Sequence, residues 1–129
     1  MGTMARPRGG AWLAQDLTAL KQAGVDVLIS ALTPREIHAL DLRAQRAICE
    51  SLNIRLVSLP IEDREVPDST LALLEPVATL AADLRAGLTL VSHCRAGIGR
   101  SSLLAAAILC AVGWAPTDAW ACIESARGR

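Results

Sequence analysis

The chain has 129 residues, 52% hydrophobic and 20% charged, which suits one packed domain and excludes a disordered chain. Thirteen basic and thirteen acidic side chains cancel, so no whole-molecule field favours nucleic acid or a membrane, and no basic stripe is interleaved with aromatics. Tyr and Phe are absent, so Trp12, Trp114 and Trp120 are the only aromatics and the core must be aliphatic.

The opening MGTMARPRGG carries charge without an apolar core and is not a signal peptide. Arg6 stands where an N-myristoylation signal wants Ser or Thr. From Ala11 to Ala23, Trp12, Leu13, Leu17 and Leu20 recur at helical spacing, and Gly24 supplies a stop. Val25–Leu32, VDVLISAL, is a short apolar run with β-branched residues, the pattern of a buried strand. Pro34 then opens a helix expected to continue through Ser51, with Ile37, Leu40, Ala44 and Ile48 on one face. Ile54–Ile61 reads as a second strand, ended by Pro60 and the acidic loop EDREVPD. Ser69–Ala86 reads as a helix with a kink or restart at Pro76, and Leu88–Ser92 as a third strand. Ser101–Val112 is a continuously apolar helix, expected to be buried on nearly all sides. A last helix starts near Pro116 and carries Trp120 and Ile123. The longest apolar run, Leu103 to Ala111, is far short of a membrane span, so a soluble cytoplasmic protein is expected.

Strands alternating with helices predict an α/β domain. Residues 1–129 are expected to form a single unit with a central, mainly parallel sheet flanked by helices. Ligands of such sheets bind beyond the carboxyl ends of the strands, which is where HCRAGIGR falls.

Cys49, Cys94, Cys110 and Cys122 form no CxxC pair, and only His38 and His93 accompany them, so no metal site or cofactor is expected. The absence of a disulfide framework points to a reducing compartment. Cys110 and Cys122, on their helices, read as inert buried hydrophobes. Cys94 differs. It follows a buried strand, and Arg95, Ala96, Gly97, Ile98 and Gly99 separate it from Arg100 at the mouth of a buried helix. The free N–H groups of a helix start point into such a loop, and Gly97 and Gly99 let successive amides converge on an anion. Arg100 adds a planar fork for two phosphoryl oxygens. A thiol beneath this cradle would lose its proton easily and become a nucleophile aimed at phosphorus. A dinucleotide site fits poorly, because GIGRSS puts Ser102 where the third glycine is wanted and no further strand follows.

At His93, Cys94, Gly97, Arg100 and Ser101, HCRAGIGRS resembles the signature of the cysteine-dependent protein tyrosine and dual-specificity phosphatases. RPRGGAWL, AGVDVLISALTPREI, LPIEDREVPD and ARG are similar to small bacterial dual-specificity-like members, so the resemblance spans nearly the whole chain. It implies a (phosphotyrosine protein phosphatase)-like fold and a two-step reaction through a phosphocysteine on Cys94. The loop from Arg95 to Arg100 would hold phosphate, sulfate or vanadate. By the same resemblance Ser101 eases departure of the thiolate, and His93 braces the loop and helps keep Cys94 ionised. Asp63, in PIED, matches the mobile acid loop. Its rival is Asp68, which the plain reading makes a helix N-cap, while Glu62 and Glu65 read as solvated loop charges. Relatives start earlier than RPRGG and continue past ARGR, which leaves open whether an N-terminal edge strand and a C-terminal helix are missing.

The variable loop positions Arg95, Ala96 and Ile98 lack the lysines that would meet additional phosphates. A singly phosphorylated protein or peptide is therefore favoured, with phosphotyrosine first and phosphoserine or phosphothreonine beside it. The alternatives are a phosphate-binding pseudophosphatase, a phosphatase of small-molecule or lipid phosphates, and a sulfur-transfer or arsenate-reducing protein. Cys49 is the one other cysteine singled out, as a disulfide partner after oxidation.

Overall fold

The computed structural model describes residues 1–62 and 71–126. In chain order it contains strand β1 (Gly2–Ala5), a single 3-10 turn (Gly10–Trp12), helix α1 (Leu13–Gln22), β2 (Val27–Ser30), α2 (Pro34–Ala39), α3 (Gln45–Ser51) and β3 (Arg55–Ser58). Then follow α4 (Leu71–Arg85), β4 (Leu90–Cys94), α5 (Arg100–Val112) and α6 (Pro116–Ala126).

The strands form one all-parallel sheet in the order β1-β4-β2-β3. This is the expected α/β architecture, with helices on both faces. The register levels the carboxyl ends: Ala5 pairs with Cys94, His93 with Ser30, and Ser30 with Ser58. Every residue of β2 is buried, as a strand covered on both faces must be. Its alternation sorts the core. Val27 and Ile29 pack with Leu80 of α4 and with Leu104 and Ile108 of α5, while Leu28 packs with Leu13 and Leu17 of α1 and Cys49 of α3. Each such aliphatic side chain contributes roughly 1.5–3 kcal/mol by leaving water. Helix α5 also carries α6, through Ala105, Leu109, Ala119 and Ile123.

Gly2–Ala5 forms an edge strand where the sequence pattern predicts none. Three expectations need correcting. The single helix expected over 34–51 is two helices. Its chain turns at Asp41, whose φ of 55° is left-handed, and the amide of Leu42 returns to the carbonyl of Ile37 at 2.9 Å. Asp tolerates that conformation, and the turn buries Leu42 to 1% exposure. Gly9 packs so closely on this corner that a Cβ there would lie 2.0 Å from the carbonyl oxygen of Leu40. Cys110 is only half-buried and Cys122 is exposed, so neither is the buried hydrophobe expected. Cys49 lies in the α1–α3 core and Cys94 in the α4–α5 core, on opposite faces of the sheet, which separates the pair suggested for a disulfide.

Helix α4 runs unbroken across Pro76. All three tryptophans are exposed, which leaves the core aliphatic as expected. Among the described residues no helix is long and apolar enough to cross a membrane, and no group of three or more His, Cys, Asp or Glu side chains could hold a metal ion.

Candidate active site

β4 runs two residues further than the sequence suggested, so that Cys94 is its last residue and α5 begins at Arg100. The five residues between them have one reason to be where they are: β1. Gly97 has φ +77°, and a Cβ on it would lie 2.5 Å from the backbone nitrogen of Ala5 and 2.5 Å from the carbonyl carbon of Met4. The loop is thus pressed against the end of the edge strand, and only glycine fits. Arg6 extends the contact by donating its amide to the carbonyl of Arg95 at 3.4 Å. Ser92 Oγ, fully buried, donates to the carbonyl of Ser101 at 2.8 Å and ties the strand to the first turn of the helix.

Cys94 is 3% exposed. Its sulfur receives the Gly97 amide at 3.3 Å and lies 3.4 Å from Ser101 Oγ. For a thiolate that hydroxyl is the donor. Burial is the strongest single influence and pushes the thiol pKa up. The Ser101 hydroxyl and the amides of Ser101, Gly97 and Ile98 together outweigh it, and the net shift is below the ordinary value of 9.0. Cys49 shows the contrast: buried without such donors, its thiol is pushed up to about 11. Two cysteines of one chain are thereby set apart, one thiol lowered in pKa and the other raised.

His93 is fully buried, and its Nε2 lies 3.0 Å from Gln45 Nε2. Burial first, aided by the charge of Arg100, lowers its pKa to about 4, against a hydrogen bond with Cys94 backbone that raises it. The ring is therefore neutral near pH 7. A neutral ring brings no positive charge to Cys94.

Arg100 is 4% exposed, and its fork is held from two sides. Nη1 donates to Glu36 Oε1 at 2.6 Å and to the carbonyl of Ile61 at 2.8 Å, and Nη2 donates to Glu36 Oε2 at 2.9 Å. Glu36 is itself fixed. It closes a capping box with Thr33, accepting that residue's amide at 3.1 Å, while its own amide donates to Thr33 Oγ1 at 3.3 Å. The Arg100 bonds hold the Glu36 carboxyl below its usual range, despite partial burial.

Of the residues singled out from sequence, Gly97 and Ser101 meet the Cys94 sulfur, Arg100 bonds Glu36 and the Ile61 carbonyl, and the His93 ring meets Gln45. Arg95, Ala96, Ile98 and Gly99 form the exposed rim. Asp63 and its rival Asp68 lie outside the described residues. Glu36, Gln45, Ser92 and the Ile61 carbonyl were missed. The T-P-R-E spacing signals a helix cap but not its arginine partner, and nothing in the sequence marks Gln45 as the neighbour of His93.

The sequence profile of a family described as "polymorphic toxin system, DSP-PTPase phosphatase" matches residues 2–114. No curated protein matches. Among solved structures, a kinase-associated phosphatase with its catalytic-site cysteine changed to serine has 23% identity and a TM-score of 0.84, over 96% of this chain and 73% of its own. Human DUSP28 has 22% identity and a TM-score of 0.67, over 98% and 83%. A mouse putative dual specificity phosphatase complexed with zinc tungstate has 19% identity and a TM-score of 0.63, over 89% and 68%.

Proposed function

The chain belongs to the family of DSP-PTPase phosphatases of polymorphic toxin systems, and from that premise we propose that it hydrolyses phosphomonoesters through a phosphocysteine on Cys94. The observation that carries the reading is the sulfur itself, buried under the loop with the Gly97 amide and the Ser101 hydroxyl directed at it.

In the first step Cys94 Sγ attacks phosphorus, the S–P bond forms and the P–O bond to the leaving group breaks. Asp63 supplies the proton that the departing oxygen needs. In the second step water attacks phosphorus and gives its proton to Asp63, the S–P bond breaks and inorganic phosphate leaves. Ser101 Oγ, 3.4 Å from the sulfur, stabilises the thiolate as it departs. The amides of the loop and the Arg100 fork hold the equatorial oxygens through both steps. Glu36, bonded to both Nη atoms, orients that fork.

The rim supports a reading of substrate class. Arg95, Ala96 and Ile98 are exposed around the sulfur, with one cation and an apolar isoleucine 40% exposed. That suits one phosphoryl group on a protein or peptide, phosphotyrosine foremost with phosphoserine and phosphothreonine accepted. Tungstate bound by the mouse phosphatase supports an oxyanion ligand for the cradle. Hydrolysis of p-nitrophenyl phosphate by the wild type, its inhibition by vanadate and its loss in Cys94→Ser test the reading. A pseudophosphatase would show no turnover in either protein.

A further inference from the structure

A second cavity of about 280 Å³, its lining more apolar than polar, opens beside the site, between the carboxyl ends of β2 and β3 and the helix α3. Ser30 and Gln45, each 2% exposed, line its floor, and Ser58, Arg43 and Arg46 stand exposed around it. Leu42 and Leu56 provide apolar wall. None of the lining residues among the described part of the chain is acidic.

Two guanidinium groups facing one concavity without a carboxylate between them leave unbalanced positive charge. Surface arginines are commonly just solvated, but these share the cavity with the buried Ser30 hydroxyl and Gln45 amide and with the exposed Ser58 hydroxyl. Arg46 Nη1 donates to the Leu56 carbonyl at 3.2 Å, which fixes its fork along the wall. Guanidinium forks with hydroxyl donors are the complement of phosphoryl and carboxylate oxygens. A water occupies about 30 Å³ in the liquid, so the cavity has room for a ligand of roughly nine heavy atoms.

The position of Gln45 gives the cavity a line to the catalytic loop. The amide that faces it also lies 3.0 Å from the His93 ring, and Ser30 is the sheet partner of His93. His93 adjoins Cys94. The Cys94, Arg100 and Ser101 side chains do not line the cavity.

We propose that this cavity binds a small free dianion of the phosphate or phosphonate class between Arg43 and Arg46, and that occupancy is transmitted to the catalytic loop through Gln45 and His93. The binding stands apart from the phosphatase reading, whereas its meaning as regulation rests on that reading.

Phosphonoacetate is the probe, because it has no ester bond to cleave and its size fits. Titration calorimetry on the whole protein saturated with vanadate should detect one phosphonoacetate per chain. Arg43→Ala combined with Ser58→Asp should weaken it at least about tenfold, the loss expected for one charged contact removed and one repulsion added. Both residues are exposed, and hydrolysis of p-nitrophenyl phosphate without the probe should stay within about twofold of wild type. The ¹⁵N resonances of the His93 ring should shift as phosphonoacetate binds. Unchanged affinity in the double variant, or loss of all binding under vanadate, overturns the site. Binding that leaves the His93 resonances in place overturns the coupling. Failure of vanadate to bind at all would count against the phosphatase reading, and the Arg43/Ser58 comparison would still decide the cavity.

Discussion

Glu36→Gln removes a charge and almost no volume from the pair that fixes Arg100. The two bonds are 2.6 and 2.9 Å long, and the two side chains are 3% and 13% exposed, so water replaces little of what is lost. Deleting one partner of a buried pair costs about 3–5 kcal/mol. Glutamine keeps the Oε1 acceptor that serves both Arg100 and Thr33, which places the expected loss below that range, at about 2–3 kcal/mol. For a domain of this size that lowers Tm by roughly 10 °C. A fork that can swing should also reduce kcat/KM for p-nitrophenyl phosphate by roughly 10–100-fold. Vanadate should restore part of the stability, because its oxygens give Arg100 a new counter-charge. Combining Glu36→Gln with Arg100→Met should recover stability without recovering activity. The pH dependence is fixed in sign. The Glu36 carboxyl is lowered from 4.5 chiefly by the Arg100 bond, so its contribution is full above that value and disappears as pH falls through the folded pKa. The gap between the two proteins in urea unfolding should therefore narrow in acid. Stability within about 0.5 kcal/mol of wild type at pH 7, with unchanged turnover, would refute the role given to this pair.

Gly97→Ala should abolish turnover and cost at least about 2 kcal/mol, since the new Cβ meets the Met4 and Ala5 backbone at a left-handed φ; urea unfolding and p-nitrophenyl phosphate hydrolysis read both. His93, titrating at about 6.5 unfolded and about 4 folded, should make stability fall as pH drops between those values, because the unfolded chain binds the proton first. The loss is on the order of 3 kcal/mol, and unfolding of His93→Gln across the same range should lack it. Asp63→Asn should slow phosphotyrosine-peptide hydrolysis by roughly 10²–10⁴-fold and hurt much less when the leaving phenol is acidic, while Asp68→Asn should cost at most about 1 kcal/mol. The reverse pattern would make Asp68 the acid.

How legible the chain was depends on the range of the interaction that decides each feature. The buried strand VDVLISAL and the loop HCRAGIGR carry their character in adjacent residues, so both are found within a residue or two of where the pattern put them, with β2 at Val27–Ser30 and Cys94 at the end of β4. The break at Asp41 was invisible to helical periodicity, because the corner against Gly9 and the burial of Leu42 decide it. GTMA has little strand propensity of its own, and pairing with β4 makes it a strand. Gln45 and Glu36 reach His93 and Arg100 across 48 and 64 residues of sequence, beyond any local spacing rule. The exposed Cys122 shows the opposite failure: a residue type usually buried can sit on the outer face of a helix whose inner face is Ala119 and Ile123.

The claim on which everything else rests is that Cys94 carries the phosphoryl group during turnover. A rapid denaturing quench of the protein reacting with p-nitrophenyl phosphate, followed by peptide mass spectrometry, tests it directly. The peptide containing Cys94 should gain the mass of one phosphoryl group, and Ser101→Ala, in which the thiolate leaves more slowly, should accumulate more of it. Turnover without an adduct, or an adduct on Cys49, Cys110 or Cys122, would contradict the account.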